Sequence, residues 1–219
     1  MLVSQIIESS FPFLSLNDKV SSALKIMEDY DILHLPVVAE EKFVGIIEKD
    51  DLLDAEPDTL LATLQTHFIN SSVLSDEHFV SALKIANRFE LTLVPAVSKT
   101  GELLGVVTQK ELIRTLAVFL NVEEPGGLIV LEMDKRNFSF GEISRLIETN
   151  NAFITHLNTY TESSSGFFIV TLKLNKIEIS DIIATLQRYD YAIRYYFGEE
   201  EYENELRENY DLLMTYLKI

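Results

Sequence analysis

The chain has 219 residues, 47% hydrophobic and 24% charged, a balance that supports a buried core and excludes a disordered polymer. It has no cysteine and a formal net charge of −17. The first excludes disulfide scaffolds, thiolate nucleophiles and Cys-ligated zinc, and the second argues against a nucleic-acid partner, which needs clustered Lys and Arg. Residues 1–124 carry −11 and residues 125–219 carry −6, so neither half is basic. Apolar runs such as 116–120 and 128–131 are too short to cross a bilayer. The opening MLVSQIIESSF lacks the basic and long apolar regions of a secretory leader, which gives the expectation of a cytoplasmic protein without a membrane partner.

In chain order, a polar cap (Asn17 or Asp18) precedes an amphipathic helix over 20–30, in which Val20, Ala23, Leu24 and Met27 recur at helical spacing. Two β-rich runs follow, 33–39 and 43–48, joined by a polar turn, and a short helix opens at Asp50-Asp51-Leu52-Leu53. The order then repeats: a cap at Asp76, a helix over 80–89, strands over 92–97 and 103–108, and a helix from Lys110-Glu111-Leu112-Ile113. Ser22-Ala23-Leu24-Lys25-Ile26 recurs unchanged as Ser81-Ala82-Leu83-Lys84-Ile85, an offset of 59 that also pairs Pro36 with Pro95 and Val38 with Val97. Gly45-Ile46-Ile47 matches Gly105-Val106-Val107 at 60, the extra residue falling in the turn. A unit this small cannot cover its own apolar helix face, so the two copies are expected to pack on each other.

These two ordered copies resemble the tandem CBS motif, named after cystathionine β-synthase. The resemblance rests on the two SALKI helices, on His34-Leu35-Pro36-Val37-Val38 with Leu93-Val94-Pro95-Ala96-Val97, and on Val44-Gly45-Ile46-Ile47 through Asp51 with Leu104-Gly105-Val106-Val107 through Glu111. It implies a pair with an internal pseudo-two-fold axis, motif 1 over 1–60 and motif 2 over 61–122, that associates as a homodimer. It also implies an adenosine-containing ligand in the cleft, AMP, ADP, ATP or S-adenosylmethionine, held by a Ser or Thr and, three residues later, an Asp. A carboxylate can accept both ribose hydroxyls, while a hydroxyl and helix-start amides can meet phosphate.

Both copies depart from that signature. Copy 1 reads Glu48-Lys49-Asp50-Asp51, keeping the Asp but placing a phosphate-repelling carboxylate at the hydroxyl position. Copy 2 reads Thr108-Gln109-Lys110-Glu111, keeping the Thr and lengthening the Asp to Glu. The expected nucleotide-binding residues therefore centre on Thr108, Lys110 and Glu111, with Asp51 in the weaker site. His34, Pro36 and Pro95 complete the set. Each also has an ordinary structural reading: Thr108 and Asp50 as helix caps, Glu111 as a first-turn acid, the prolines as strand-entry or edge residues, and His34 as a core histidine.

The run 121–127 reads as a linker. After it come strand 128–133, helix 140–150, strands 152–160 and 167–174 with a turn at Ser163-Ser164-Ser165-Gly166, helix 180–189 and strand 191–197. This βαββαβ order implies a ferredoxin-like antiparallel sheet over 126–198 with both helices on one face. Its position after the pair, and Leu131-Glu132-Met133-Asp134 leading to Glu142-Ile143, resemble an ACT domain, and the whole resembles the CBS–ACT proteins grouped with acetoin-utilisation regulators. The loop 135–140 lacks the Gly through which that family admits small effectors, so oligomerisation is the favoured role. Residues 199–219 carry seven acids and two bases around a stripe of Tyr202, Leu206, Tyr210, Leu213 and Leu217, the pattern of an acidic amphipathic helix.

No phosphate-cradling Gly-rich loop, nucleophile elbow or helical His pair is present. The fold class is α/β (α+β), with no catalytic and no metal residues assigned. The expected function is regulatory ligand sensing rather than catalysis; the alternative is a dimeric scaffold that binds no ligand and acts through protein contacts with an unnamed target.

Overall fold

Val20, Ala23 and Met27 form the buried face of α1 (Val20–Asp29), where a helical period of 3.6 aligns them. Around it lie β1 (Leu14–Ser15), β2 (His34–Ala39), β3 (Lys42–Glu48) and α2 (Lys49–Leu53). The second copy repeats the order as β4 (Val73–Leu74), α3 (Phe79–Phe89), β5 (Leu93–Val97), β6 (Leu103–Thr108) and α4 (Gln109–Phe119). The computed structural model describes residues 1–198, so the helix expected over 199–219 lies outside the described residues. The chain divides into two compact units, Met1–Ala117 and Val118–Ile219.

Each copy holds a three-stranded sheet, β1-β2-β3 or β4-β5-β6, whose first pair is parallel and second antiparallel. The registers repeat as the sequence does: Pro36 faces Ile46 and Pro95 faces Val106. The prolines are thus not at a strand entry or sheet edge but buried inside the central strands. They are tolerated because the parallel neighbour is two residues long and pairs only from Val37 and from Ala96 onward, so neither proline breaks a ladder bond on that side. The hairpin tips of the two copies meet, with the Phe43 N–H donating to Gly101 and the Leu103 N–H to Glu41.

The helix caps differ from expectation. The N-cap positions are Lys19 and His78, and neither caps through its side chain. The first amides of α1 donate instead to the carbonyls of Thr59 and Pro57, each at 3.0 Å, and the first amide of α3 donates to Met1 at 3.1 Å. Asp18 accepts from the Ser15 N–H at 2.7 Å, bracing the turn before α1. Asp50 is not a cap either, since α2 begins one residue earlier with Glu48 at the N-cap position.

Those distant carbonyls belong to an exchange of leading segments. Residues Val3–Gln5 form a 3-10 turn that docks on the second copy, with Val3 and Ser4 amides donating to Glu77 and Ser75 at 2.9 Å. Residues Leu61–His67 dock in the equivalent way on the first copy, with Leu61 and Ala62 donating to Asp18 and Leu16. Val3 is fully buried among Val73, Phe79, Val94 and Leu112, and Leu61 among Val20, Met27 and Leu52. Each copy thus closes its core with the segment that precedes the other.

The two recurring glycines serve this exchange. Beyond each docked turn the chain runs against the sheet, pairing Glu8 with Val106 and Ile69 with Ile46 through reciprocal backbone bonds. A Cβ on Gly105 would lie 2.6 Å from the Glu8 carbonyl and 2.6 Å from Ile7, and one on Gly45 would lie 2.7 Å from the Phe68 Cβ. Gly105 also has φ +143°, which side-chain-bearing residues rarely adopt.

The second unit has β7 (Leu128–Met133), α5 (Phe140–Glu148), β8 (Ile154–Thr161), β9 (Phe168–Leu174), α6 (Ser180–Arg188) and β10 (Ala192–Phe197). Its sheet order is β10-β7-β9-β8, antiparallel throughout, which is the ferredoxin-like arrangement. Ile129 and Leu131 share one core with Phe168, Val170, Leu172 and Leu174. Ile143, Leu146 and Ile147 of α5 and Ile182, Ile183 and Leu186 of α6 pack into the same core, so both helices cover one face.

Candidate functional site

A cavity of about 610 Å³ opens between the repeats of the first unit. The first repeat supplies Asp31, Ile32 and Leu33 from the connection between α1 and β2. The second supplies Thr92 and Leu93 at the start of β5, and Thr108, Gln109 and Lys110 where β6 turns into α4. Glu8 and Phe11, from the exchanged leading segment, complete the wall. Apolar side chains from three separate elements thus face hydroxyl, amide and charged groups, the mixture typical of small-molecule pockets.

Of the expected residues, the cavity gathers Thr108 and Lys110. The Thr108 hydroxyl accepts the Glu111 amide at 3.3 Å and so caps α4. The Glu111 carboxylate pairs with Arg114 at 3.0 Å. Asp51 of the first copy lies 3.2 Å from His67 Nδ1, and Pro36 and Pro95 sit in the strand interiors. Sequence reasoning missed the rest of the wall: Glu8, Phe11, Asp31, Ile32 and Leu33, which come from connecting segments and from the exchange, and Thr92, Leu93 and Gln109 of the second copy. The one hint of them in the sequence was that Leu33 and Thr92 occupy the same position in the two copies.

His34 stands behind the cavity wall, 3% exposed. Thr92 presents to its Nδ1 both an amide at 3.3 Å and a hydroxyl at 2.9 Å. An amide can only donate, so Nδ1 carries the lone pair and Nε2 the proton, facing Glu48 at 3.8 Å. Burial pushes the His34 imidazole below its ordinary value, and the Glu48 carboxylate partly opposes this. A folded-state value below the unfolded one means that the unfolded chain takes up the proton first. The contribution of His34 to stability is therefore fully present above about pH 6.5 and is lost as the pH falls below that toward the depressed value. Between about pH 7.5 and pH 5, the thermal midpoint of the native protein is expected to fall further than that of His34→Asn, whose amide oxygen can replace Nδ1. Parallel melting curves that fall equally would contradict this assignment.

A second cavity, about 420 Å³, lies in the ferredoxin-like unit beside the loop joining β7 to α5. Its wall includes Glu132, Asp134, Glu142 and Tyr191. The Arg136 guanidinium and amide hold the Asp134 carboxyl down at about 2. The Tyr191 hydroxyl donates to Glu142 at 3.1 Å, and burial, reinforced by that bond, pushes it up to about 12. Among the described residues no group of three or more His, Asp or Glu could hold a metal ion, and no helix is long and apolar enough to cross a membrane.

Two open-sided α/β repeats, each closed by the segment that precedes the other, thus form a tandem unit with a cleft between them. Residues 3–58 match the family model of the CBS domain, and the N-terminal unit is a CBS-domain pair. Among curated relatives, inosine-5'-monophosphate dehydrogenase of Korarchaeum cryptofilum is 33% identical over 122 residues, 53% of this chain and 25% of the relative. The same enzyme of Aquifex aeolicus is 27% identical over 100 residues, 44% of this chain and 20% of the relative. The chain therefore spans a quarter or less of the length of these relatives. Among solved structures, a CBS domain pair/ACT domain protein of Thermotoga maritima superposes with a TM-score of 0.51 at 22% identity, covering 55% of this chain and 99% of that one, a likeness of fold.

Proposed function

We propose that this protein is a non-catalytic, cytoplasmic regulator whose CBS pair senses an adenine nucleotide or adenosyl metabolite. The observation that carries the reading is the cavity between the repeats, where Thr108 and Lys110 at the start of α4 face Thr92 and the apolar Phe11, Ile32, Leu33 and Leu93. A base fits the apolar wall, and the sugar meets the hydroxyl, amide and ammonium groups. Because the wall is drawn from both repeats, a bound ligand favours one arrangement of the two and shifts that population. The ferredoxin-like unit, in the same reading, serves oligomerisation or takes a small effector beside the β7–α5 loop. The open edges β8 and β10 of its sheet support a homodimer. Light scattering should give twice the 25.0 kDa chain mass, and a monomer would contradict the dimer.

Calorimetric titration of the full chain with AMP, ADP, ATP and S-adenosylmethionine tests the ligand reading. At least one should bind and raise the thermal midpoint, since a ligand at a hundred times its Kd stabilises by about 2.7 kcal/mol. Neither heat nor thermal shift with any of them would overturn it. The scaffold reading has one observation in its favour: the carboxylates of Asp51 and Glu111 are already paired with His67 and Arg114.

A further inference from the structure

Resting on the ligand reading above, we infer that the cleft selects adenine compounds without phosphate, of zero or positive charge, and that Glu8 enforces this selection. The charges of the wall point that way. Among the described residues, Lys110 is the one cation that lines the cavity, against two carboxylates, Glu8 and Asp31. A phosphate entering there meets a net charge of −1, on a chain that carries −17 in all, so attraction near Lys110 is offset locally and opposed at long range.

The start of α4, where a phosphate would be bound by backbone amides, is largely committed. The Gln109 N–H donates to the Thr92 carbonyl at 2.9 Å, and the Glu111 N–H donates to the Thr108 hydroxyl at 3.3 Å. What is left is neutral: the Thr108 hydroxyl, which accepts from Glu111, still has its proton to donate, the Thr92 hydroxyl, which donates to His34 Nδ1, still has a lone pair, and the Gln109 side-chain amide can do both, a set that suits ribose and base edges.

Glu8 is also the better placed of the two acids to act as a filter. Its backbone is fixed by reciprocal bonds with Val106, at 2.8 and 3.2 Å, and the approach is so close that only glycine fits at 105. Its side chain is therefore carried by the second repeat, to which its backbone is bound, although it comes from the far end of the chain. A nucleoside bearing a cationic substituent gains from the same carboxylate that repels a phosphate chain.

The test is equilibrium titration of the full chain with adenosine, AMP and ATP, without divalent metal and at low salt, for the native protein and Glu8→Gln. Adenosine should bind at least about tenfold more tightly than ATP, a margin expected for one or two like charges within a few ångströms in a partly wet site. Glu8→Gln should improve ATP by about threefold to tenfold relative to adenosine. Glutamine keeps the backbone bonds and the volume, and an unchanged thermal midpoint verifies the fold. ATP binding as tightly as adenosine, or a ratio unmoved by Glu8→Gln, overturns the inference and leaves the ligand reading standing. Failure of all three compounds to bind overturns both.

Discussion

Val3→Asp is expected to destabilise the first unit by about 3–5 kcal/mol, and to do so through the second repeat. Val3 is three residues from the N-terminus by number but fully buried by position, packed with Phe79, Val94 and Leu112. A carboxylate there would lie among apolar side chains, so the chain must either bury a charge or release the segment and open that core. The loss is a large part of the total stability of an ordinary domain, about 5–15 kcal/mol. Ser4→Asp is the control: Ser4 is exposed, and only its amide is bonded, so the change should cost within about 0.5 kcal/mol. Chemical denaturation gives the magnitude, and hydrogen exchange along α3 and β5 gives the place. Equal, small effects from both substitutions would mean that residues 3–9 are a surface tail and not part of the second repeat.

Gly105→Ala is the second large effect, about 2–4 kcal/mol. The added methyl meets the Glu8 carbonyl, Ile7 and the Ser9 backbone within 3 Å, at a backbone conformation unfavourable to alanine. Gly101 separates the two causes, because it has φ +85° with nothing within 4 Å of an added Cβ. Gly101→Ala should therefore show the conformational cost alone, about 1–2 kcal/mol. The excess at 105 measures how firmly the leading segment presses on β6. Equal losses at the two positions would remove the steric argument for the exchange. The same substitution should displace Glu8 and so change the cavity wall.

The duplicated units were legible because their cores recur residue for residue. SALKI with SALKI, and Gly-Ile-Ile with Gly-Val-Val, place equivalent side chains on equivalent faces, and the periodicities of α1, α3 and the strands between them followed to within a residue or two. The ferredoxin-like order was legible for the same reason, since α5 and α6 bury clean stripes. The exchange was not legible. Val3–Gln5 and Leu61–His67 form short 3-10 turns whose apolar residues have no period long enough to announce a partner, and nothing local says that the partner is the other copy. The caps failed for a related reason: Asn17, Asp18 and Asp76 are good capping residues, but the helix amides found carbonyls brought from elsewhere by the exchange. Thr108 and Lys110 could be placed by motif. Glu8, Asp31 and Leu33 could not, because their place in the wall depends on how three connecting segments meet.

In the proposed function a ligand is held in the cavity between the repeats, and obstructing that cavity is the most direct test. Leu33 lines that cavity with half its surface exposed, so Leu33→Trp sets an indole in the ligand's way without entering either core. Titration of adenosine into the native chain should show one site per protomer, and into Leu33→Trp no binding at an unchanged thermal midpoint. Adenosine binding to the plugged protein as tightly as to the native one would place the ligand elsewhere and contradict the account.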